Sequence, residues 1–150
     1  MLVWELLMSR KITEFFWGDE AKVSTLMWVS FILLFTFLGA REIWTHENRW
    51  SSVVLEMVMR GDYLHPYLRD DIVYYDKPLL SYWFIVAVSK VLGGLSTFSL
   101  RVPSALSGLL AVWATVQLGN LIDRRVGLLA GWMLLSTVCF VFWARVATAD

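Results

Sequence analysis

Three runs without a charged side chain constrain this chain more than any other feature. Val23 to Ala40, Val102 to Ile122 and Val126 to Ala144 extend for about 18, 21 and 19 residues. A helix needs roughly 20 apolar residues to cross a hydrocarbon core about 30 Å thick. The runs therefore predict three spans, the first of them marginal in length. The 58% hydrophobic content and mean hydropathy of +0.60 lie outside the usual soluble range. The predicted class is an all-α integral membrane protein, with about three transmembrane helices and two interfacial helices in the first outer loop.

This reading divides the chain into a cytoplasmic or interfacial segment (1–22), a first span (23–42), an outer loop (43–100), a second span (101–122) and a third (126–146). In the opening segment Leu2, Leu6 and Leu7 fall on one side of a short helix, and Trp4, Phe15, Phe16 and Trp17 suit headgroup depth. Glu5 precedes Arg10 and Lys11, the reverse of the order in a secretory signal, so no cleavage is expected. A formal net charge of zero argues against nucleic acid as a partner. Cys139 is the only cysteine, so no internal disulfide forms; its place in an apolar run predicts a small buried residue.

Between the first two runs lies a polar, aromatic-rich stretch, Thr45 to Trp83, which holds both histidines. Trp50, Val53, Val54, Met57 and Val58 recur at helical spacing, with Gly61 as a stop. Glu56 and Arg60, four apart, form a candidate surface pair. His46 and Glu47 precede Trp50 by four and three residues, which puts both on the side of the apolar stripe. Asp62 to Tyr75 has no clear period and reads as an extended loop.

Asp76-Lys77-Pro78 reads as a helix start. Asp76 is an N-cap or, as an alternative, a metal ligand, and Pro78 falls in the first turn. Lys77 adds an ammonium to free N–H groups at a helix N-terminus, a place for an anion such as a lipid phosphate. This helix is expected to end at Gly93-Gly94, too short to cross, which would return Asp150 to the side of Glu47. Arg10-Lys11 and the turn Asp123-Arg124-Arg125 are short and basic, which places them on the cytoplasmic side.

In these residues the chain resembles the polyprenyl-phosphate-dependent integral membrane glycosyltransferases, in particular the aminoarabinose transferases and the protein mannosyltransferase-like group. The resemblance rests on His46-Glu47-Asn48-Arg49-Trp50, Glu56-Met57, Gly61-Asp62-Tyr63, Pro66, Tyr75-Asp76-Lys77-Pro78, Tyr82-Trp83, Arg101 to Ala105 and Ala144 to Asp150. It covers roughly residues 23 to 150. Aminoarabinose transferases carry a catalytic aspartate where this chain has His46. Family members are several times longer, which predicts that these residues are an N-terminal piece, inactive alone.

The resemblance implies transfer of a sugar from a polyprenyl-phosphate carrier to a lipid or protein acceptor at the outer face of a bacterial inner membrane. Such chemistry serves lipid A modification or protein glycosylation. Glu47, His46 and Asp150 are the implied catalytic group. Glu47 is the expected base, its pKa raised by burial beside Trp50. Lys77, Tyr74, Tyr75, Arg49, Tyr82 and Arg145 are the implied donor-binding residues, and Arg101 is either a phosphate contact or a snorkelling anchor. A divalent metal at Asp76 is the one cofactor considered. The rivals are a non-catalytic protein that binds polyprenyl phosphate or assembles with membrane partners and, more weakly, a transporter. The spans carry almost no charge of the kind that lines ion paths.

Overall fold

A computed structural model of the protein describes residues 19–68 and 72–147, with side chains from residue 22. Its elements in chain order are α1 (Asp19–Phe35), α2 (Thr45–Arg60), β1 (Tyr67–Leu68), β2 (Ile72–Val73), α3 (Leu79–Val91), α4 (Thr97–Asn120), α5 (Arg124–Ser136) and α6 (Val138–Ala144). The expected interfacial helix over residues 1–20 falls almost wholly outside the described residues. The described chain divides into two compact units, one through Leu33 together with 109–138, the other made of 34–108 and 139 onward.

In the first unit the helices approach through glycine. A Cβ on Gly119 would lie 2.5 Å from the Gly127 Cα, and one on Gly131 would meet Leu26 and Val116 side chains. Small residues of this kind let membrane helices pack backbone to backbone. Asp123 caps α5 by accepting from the Arg125 N–H at 2.7 Å. Gly127→Ala should therefore destabilise the protein by about 1–3 kcal/mol, because the new methyl enters a filled space. It would sit 2.6 Å from the Val116 carbonyl oxygen. Thermal unfolding in detergent, compared with wild type, checks this.

The second unit is built on α2. Its stripe of Trp50, Val53, Val54 and Met57 packs with Tyr82, Ile85 and Val86 of α3, Leu100 of α4 and Ala147. Val58, expected on the same face, is exposed instead, since the 3.6-residue period has carried it off the stripe. Gly61 ends α2 at φ 67°, and Gly93 and Gly94 follow α3 with φ of 82° and 155°. Only glycine takes such angles without strain. Glu56 accepts from Arg60 at 2.9 Å as expected.

The loop expected between Asp62 and Tyr75 contains a two-stranded hairpin, with Tyr67 opposite Val73 and Leu68 opposite Ile72. Aromatic contacts fasten this region down. Arg60 lies 4.4 Å from the Tyr67 ring centroid, and the Trp83 indole donates to the Tyr63 carbonyl at 2.7 Å. Asp62 accepts from the Leu64 and His65 N–H groups, which holds the turn after Gly61. Those donors and the His65 ring keep its carboxyl below the usual range.

The expected spans are redrawn in three places. Among the described residues one helix, α4, is long and apolar enough to cross a membrane. It begins at Thr97 rather than Arg101, because Ser96 and Ser99 form a reciprocal cap. The Ser96 N–H donates to Ser99 Oγ at 2.7 Å and the Ser99 N–H to Ser96 Oγ at 3.1 Å. The first run stays helical only to Phe35, then turns through Phe37 at φ 54°. The third is interrupted at Thr137, with φ −74° and ψ 108°. Both Ser136 and Thr137 donate their hydroxyls back to the Met133 carbonyl, a local alternative to the helix ladder. Cys139, expected to be buried, is exposed: it lies on the outward side of α6, a helix apolar all round.

Candidate active site

The polar centre of the second unit is a buried ion pair between Glu47 and Arg101. Glu47 is the third residue of α2, and its Oε2 accepts from the Trp44 N–H at 3.0 Å, satisfying one donor that a helix start leaves over. Arg101 Nε reaches Glu47 Oε1 and Nη2 reaches Oε2, both at 2.8 Å, in a bidentate fork. Both side chains are fully buried, at 1% exposure for Arg101 and 0% for Glu47. The other Arg101 donors go to the carbonyls of Leu38, Arg41 and Glu42 at 2.8–2.9 Å. Arg145 likewise donates to the Thr36 carbonyl. Arginine side chains thus satisfy the carbonyls past the end of α1, where the backbone leaves the helix. This is why the first span ends early.

A further contact ties in a distant stretch. Oε1 of Glu47 also accepts from the Ala147 N–H at 3.0 Å, across 100 residues. One carboxylate therefore joins the start of α2, the start of α4 and the segment that leads toward Asp150. Each oxygen has two close donors, and Arg41 adds a cation 3.8 Å from Oε2.

This geometry overturns the expected direction of the Glu47 pKa. Burial pushes it up, but the Arg101 fork, the Trp44 and Ala147 N–H groups and the Arg101 charge together bring it below its ordinary 4.5. A carboxylate held as an anion with its lone pairs occupied is a poor proton acceptor. A depressed folded pKa contributes stability that is complete above the unfolded value and is lost as pH falls through the folded one. Unfolding free energy should accordingly be flat in this contribution above about pH 5 and decline below about pH 4. In Glu47→Gln the decline should be shallower, as an acid titration followed by helical circular dichroism would show.

Around this centre the remaining candidates separate. His46 is exposed and meets the Trp44 ring edge-on at 5.5 Å between centroids. Arg49 Nη1 donates to the Tyr74 hydroxyl at 3.0 Å, and that hydroxyl donates to Asp76 Oδ2 at 2.9 Å. Asp76 is not the N-cap: α3 starts after Pro78, two residues further on, because proline's fixed φ (−60°) and extended ψ (135°) suit the flanking position. Lys77, half-buried, immediately precedes that cap, and Tyr75 is exposed. Tyr82 is packed in the core, 1% exposed, with its ring 4.6 Å from that of Trp50. Burial, with Tyr74 and Asp76 near, pushes its hydroxyl up to about 12, so it stays protonated. Its ring is not open to a sugar. Asp150 lies outside the described residues.

Among the described residues no three His, Cys, Asp or Glu side chains converge as a metal site. Asp76 already serves Tyr74, with the Arg49 cation one bond further, so this donor set does not fit a divalent ion. Beside these groups a cleft of about 300 Å³ is lined by Trp50, Ser81, Phe84, Pro103, Ser107 and Ala147, among others.

Sequence reasoning missed Arg101 as the partner of Glu47. The signal was present: an arginine at the head of a charge-free run is costly at membrane depth unless a carboxylate answers it. The Ala147 contact left no signal, since a backbone N–H carries no sequence mark.

The family described as dolichyl-phosphate-mannose-protein mannosyltransferase matches residues 76–150. Curated relatives include the undecaprenyl phosphate-alpha-4-amino-4-deoxy-L-arabinose arabinosyl transferases of three bacteria. That of Pectobacterium carotovorum is 36% identical over 121 residues, covering 77% of this chain and 21% of the relative. That of Aeromonas salmonicida is 39% identical over 113 residues, covering 71% and 20%. That of Shewanella sediminis is 33% identical over 129 residues, covering 83% and 22%. The chain thus spans about a fifth of the length of these relatives. No solved structure matches it. With half of its residues matched, from Asp76 and Lys77 through Arg101 to Asp150, the chain belongs to the dolichyl-phosphate-mannose-protein mannosyltransferase family of polyprenyl-phosphate-dependent glycosyltransferases.

Proposed function

We propose that this chain carries part of the active site of a glycosyltransferase that moves a sugar from a polyprenyl-phosphate carrier to a lipid or protein acceptor. The named donor of the relatives makes an undecaprenyl-phosphate-linked aminopentose the first substrate to test. The reaction takes place at the outer membrane face, with residues 43–100 on that side and the basic turn at Asp123 to Arg125 in the cytoplasm. Three crossings are proposed, the first completed by the turn after Phe35 and the third broken at Thr137.

The observation that carries the reading is the Glu47 clamp. It brings the helix start bearing His46 and Arg49 to the backbone that leads to Asp150. Glu47 acts here by positioning. His46, exposed beside it, takes the proton of the acceptor hydroxyl as that oxygen attacks the anomeric carbon. The bond from that carbon to the phosphate oxygen breaks, and polyprenyl phosphate leaves as an anion. Lys77 stabilises the departing charge, with Arg49 and Tyr74 adjacent and Tyr75 open to the donor. The cleft beside Phe84 and Pro103 receives the apolar part of the carrier, and Arg145 steadies the approach to Asp150.

Lys77 gives the test. Lys77→Ala should weaken binding of undecaprenyl phosphate by about 1.5–3 kcal/mol, the range for a hydrogen bond to a charged group. Lys90→Ala, whose ammonium sits 4.4 Å from the Tyr63 ring centroid, should leave it unchanged. Equal affinity of wild type and Lys77→Ala would remove Lys77 from the site. Carrier binding without sugar transfer by the complete gene product would favour a non-catalytic binding protein.

A further inference from the structure

In the first unit a cavity of about 710 Å³ opens at the Asn120 end of α4. Among the described residues its polar lining is Lys22, Gln117, Asn120, Arg124 and Arg125, with no carboxylate. Arg124 and Arg125 are the first two residues of α5, where the helix dipole already presents positive charge. Cations there oppose the helix. Asp123, which precedes them, is engaged on the Arg125 N–H as the cap. Among the described residues neither guanidinium has an ion-pair partner. Asn120 adds a buried Oδ1 with no hydrogen-bond partner.

These features describe a site built for an anion, and the rest of the lining narrows the choice. Val23, Leu128 and Leu129 supply an apolar wall. Inorganic phosphate would leave most of this volume empty and has no use for leucine. A phospholipid headgroup has both parts: a phosphodiester for the arginines, and glycerol and acyl carbons for the wall. Basic pockets between membrane helices hold anionic headgroups in this manner.

We infer that this cavity binds the phosphodiester headgroup of an anionic phospholipid, with Arg124 and Arg125 on the phosphate and Leu128 beside the first acyl carbons. The site is separate from the sugar-transfer reading, and its test needs no turnover.

The experiment uses the complete gene product, purified and presented with phosphatidylglycerol or phosphatidylcholine, with bound lipid counted by native mass spectrometry. Wild type should prefer phosphatidylglycerol by about tenfold or more, as expected for two juxtamembrane cations. Arg124→Gln with Arg125→Gln should abolish the preference. Removing both arginines also weakens the topology signal, so Leu128→Trp supplies a second arm that fills the cavity at unchanged charge. It should lose the preference too, whereas Lys90→Gln should keep it. The inference is overturned if the preference survives in the double variant or in Leu128→Trp. Displacement of the lipid by millimolar inorganic phosphate would also overturn it, by making this a free-phosphate site.

Discussion

Arg101→Met should lower the unfolding free energy by about 3–5 kcal/mol, the cost of leaving a buried charge without its partner. The Glu47 carboxylate would remain enclosed with the Trp44 and Ala147 N–H groups and the more distant Arg41 cation, and the Leu38, Arg41 and Glu42 carbonyls would lose their Arg101 donors. Glu47→Leu should cost a similar amount, because the guanidinium then stands buried against a neutral side chain. Combining the two removes both charges, and buried pairs replaced by apolar residues are often close to neutral. Here the double variant should recover only part of the loss, since the three carbonyls still lack a donor. A double-mutant cycle by chemical unfolding in detergent would show strong coupling between the two sites. Single variants within about 0.5 kcal/mol of wild type would mean that the pair does not hold the fold.

How much of this was legible beforehand follows from what leaves a mark on side-chain chemistry. The α2 stripe, the stop at Gly61, the glycine pair after α3 and the Glu56–Arg60 contact all follow from spacing or from a residue's own conformational limits. The family resemblance was legible for a similar reason, since several short motifs stand in order. The helix ends were less so. A charge-free run marks where a helix can be apolar, not where hydrogen bonding stops. At Phe35 the decision lies with arginines far along the chain, which take the carbonyls past the helix end.

Burial of Glu47 on the apolar face was foreseeable, yet its ionisation was read in the wrong direction. Burial alone raises a carboxyl pKa; four close donors reverse the sign. Placing Asp76 as a cap failed because Pro78 moves the helix start two residues on.

The central claim is that Glu47 is a buried clamp and that the neighbouring imidazole takes the acceptor proton. In the complete gene product His46→Ala should lower turnover by roughly 10²–10⁴, the range for losing a general base, with donor binding little changed. Free imidazole and aspartate differ in basicity by about 2.5 pH units, so exchanging one for the other labels the group that titrates. The direct measurement is the pH dependence of kcat/KM for wild type and His46→Asp. The account predicts that His46→Asp keeps substantial activity while the acid limb of its profile moves to lower pH. An acid limb in the same place for both proteins, or full turnover in His46→Ala, would contradict it and return the proton to a carboxylate.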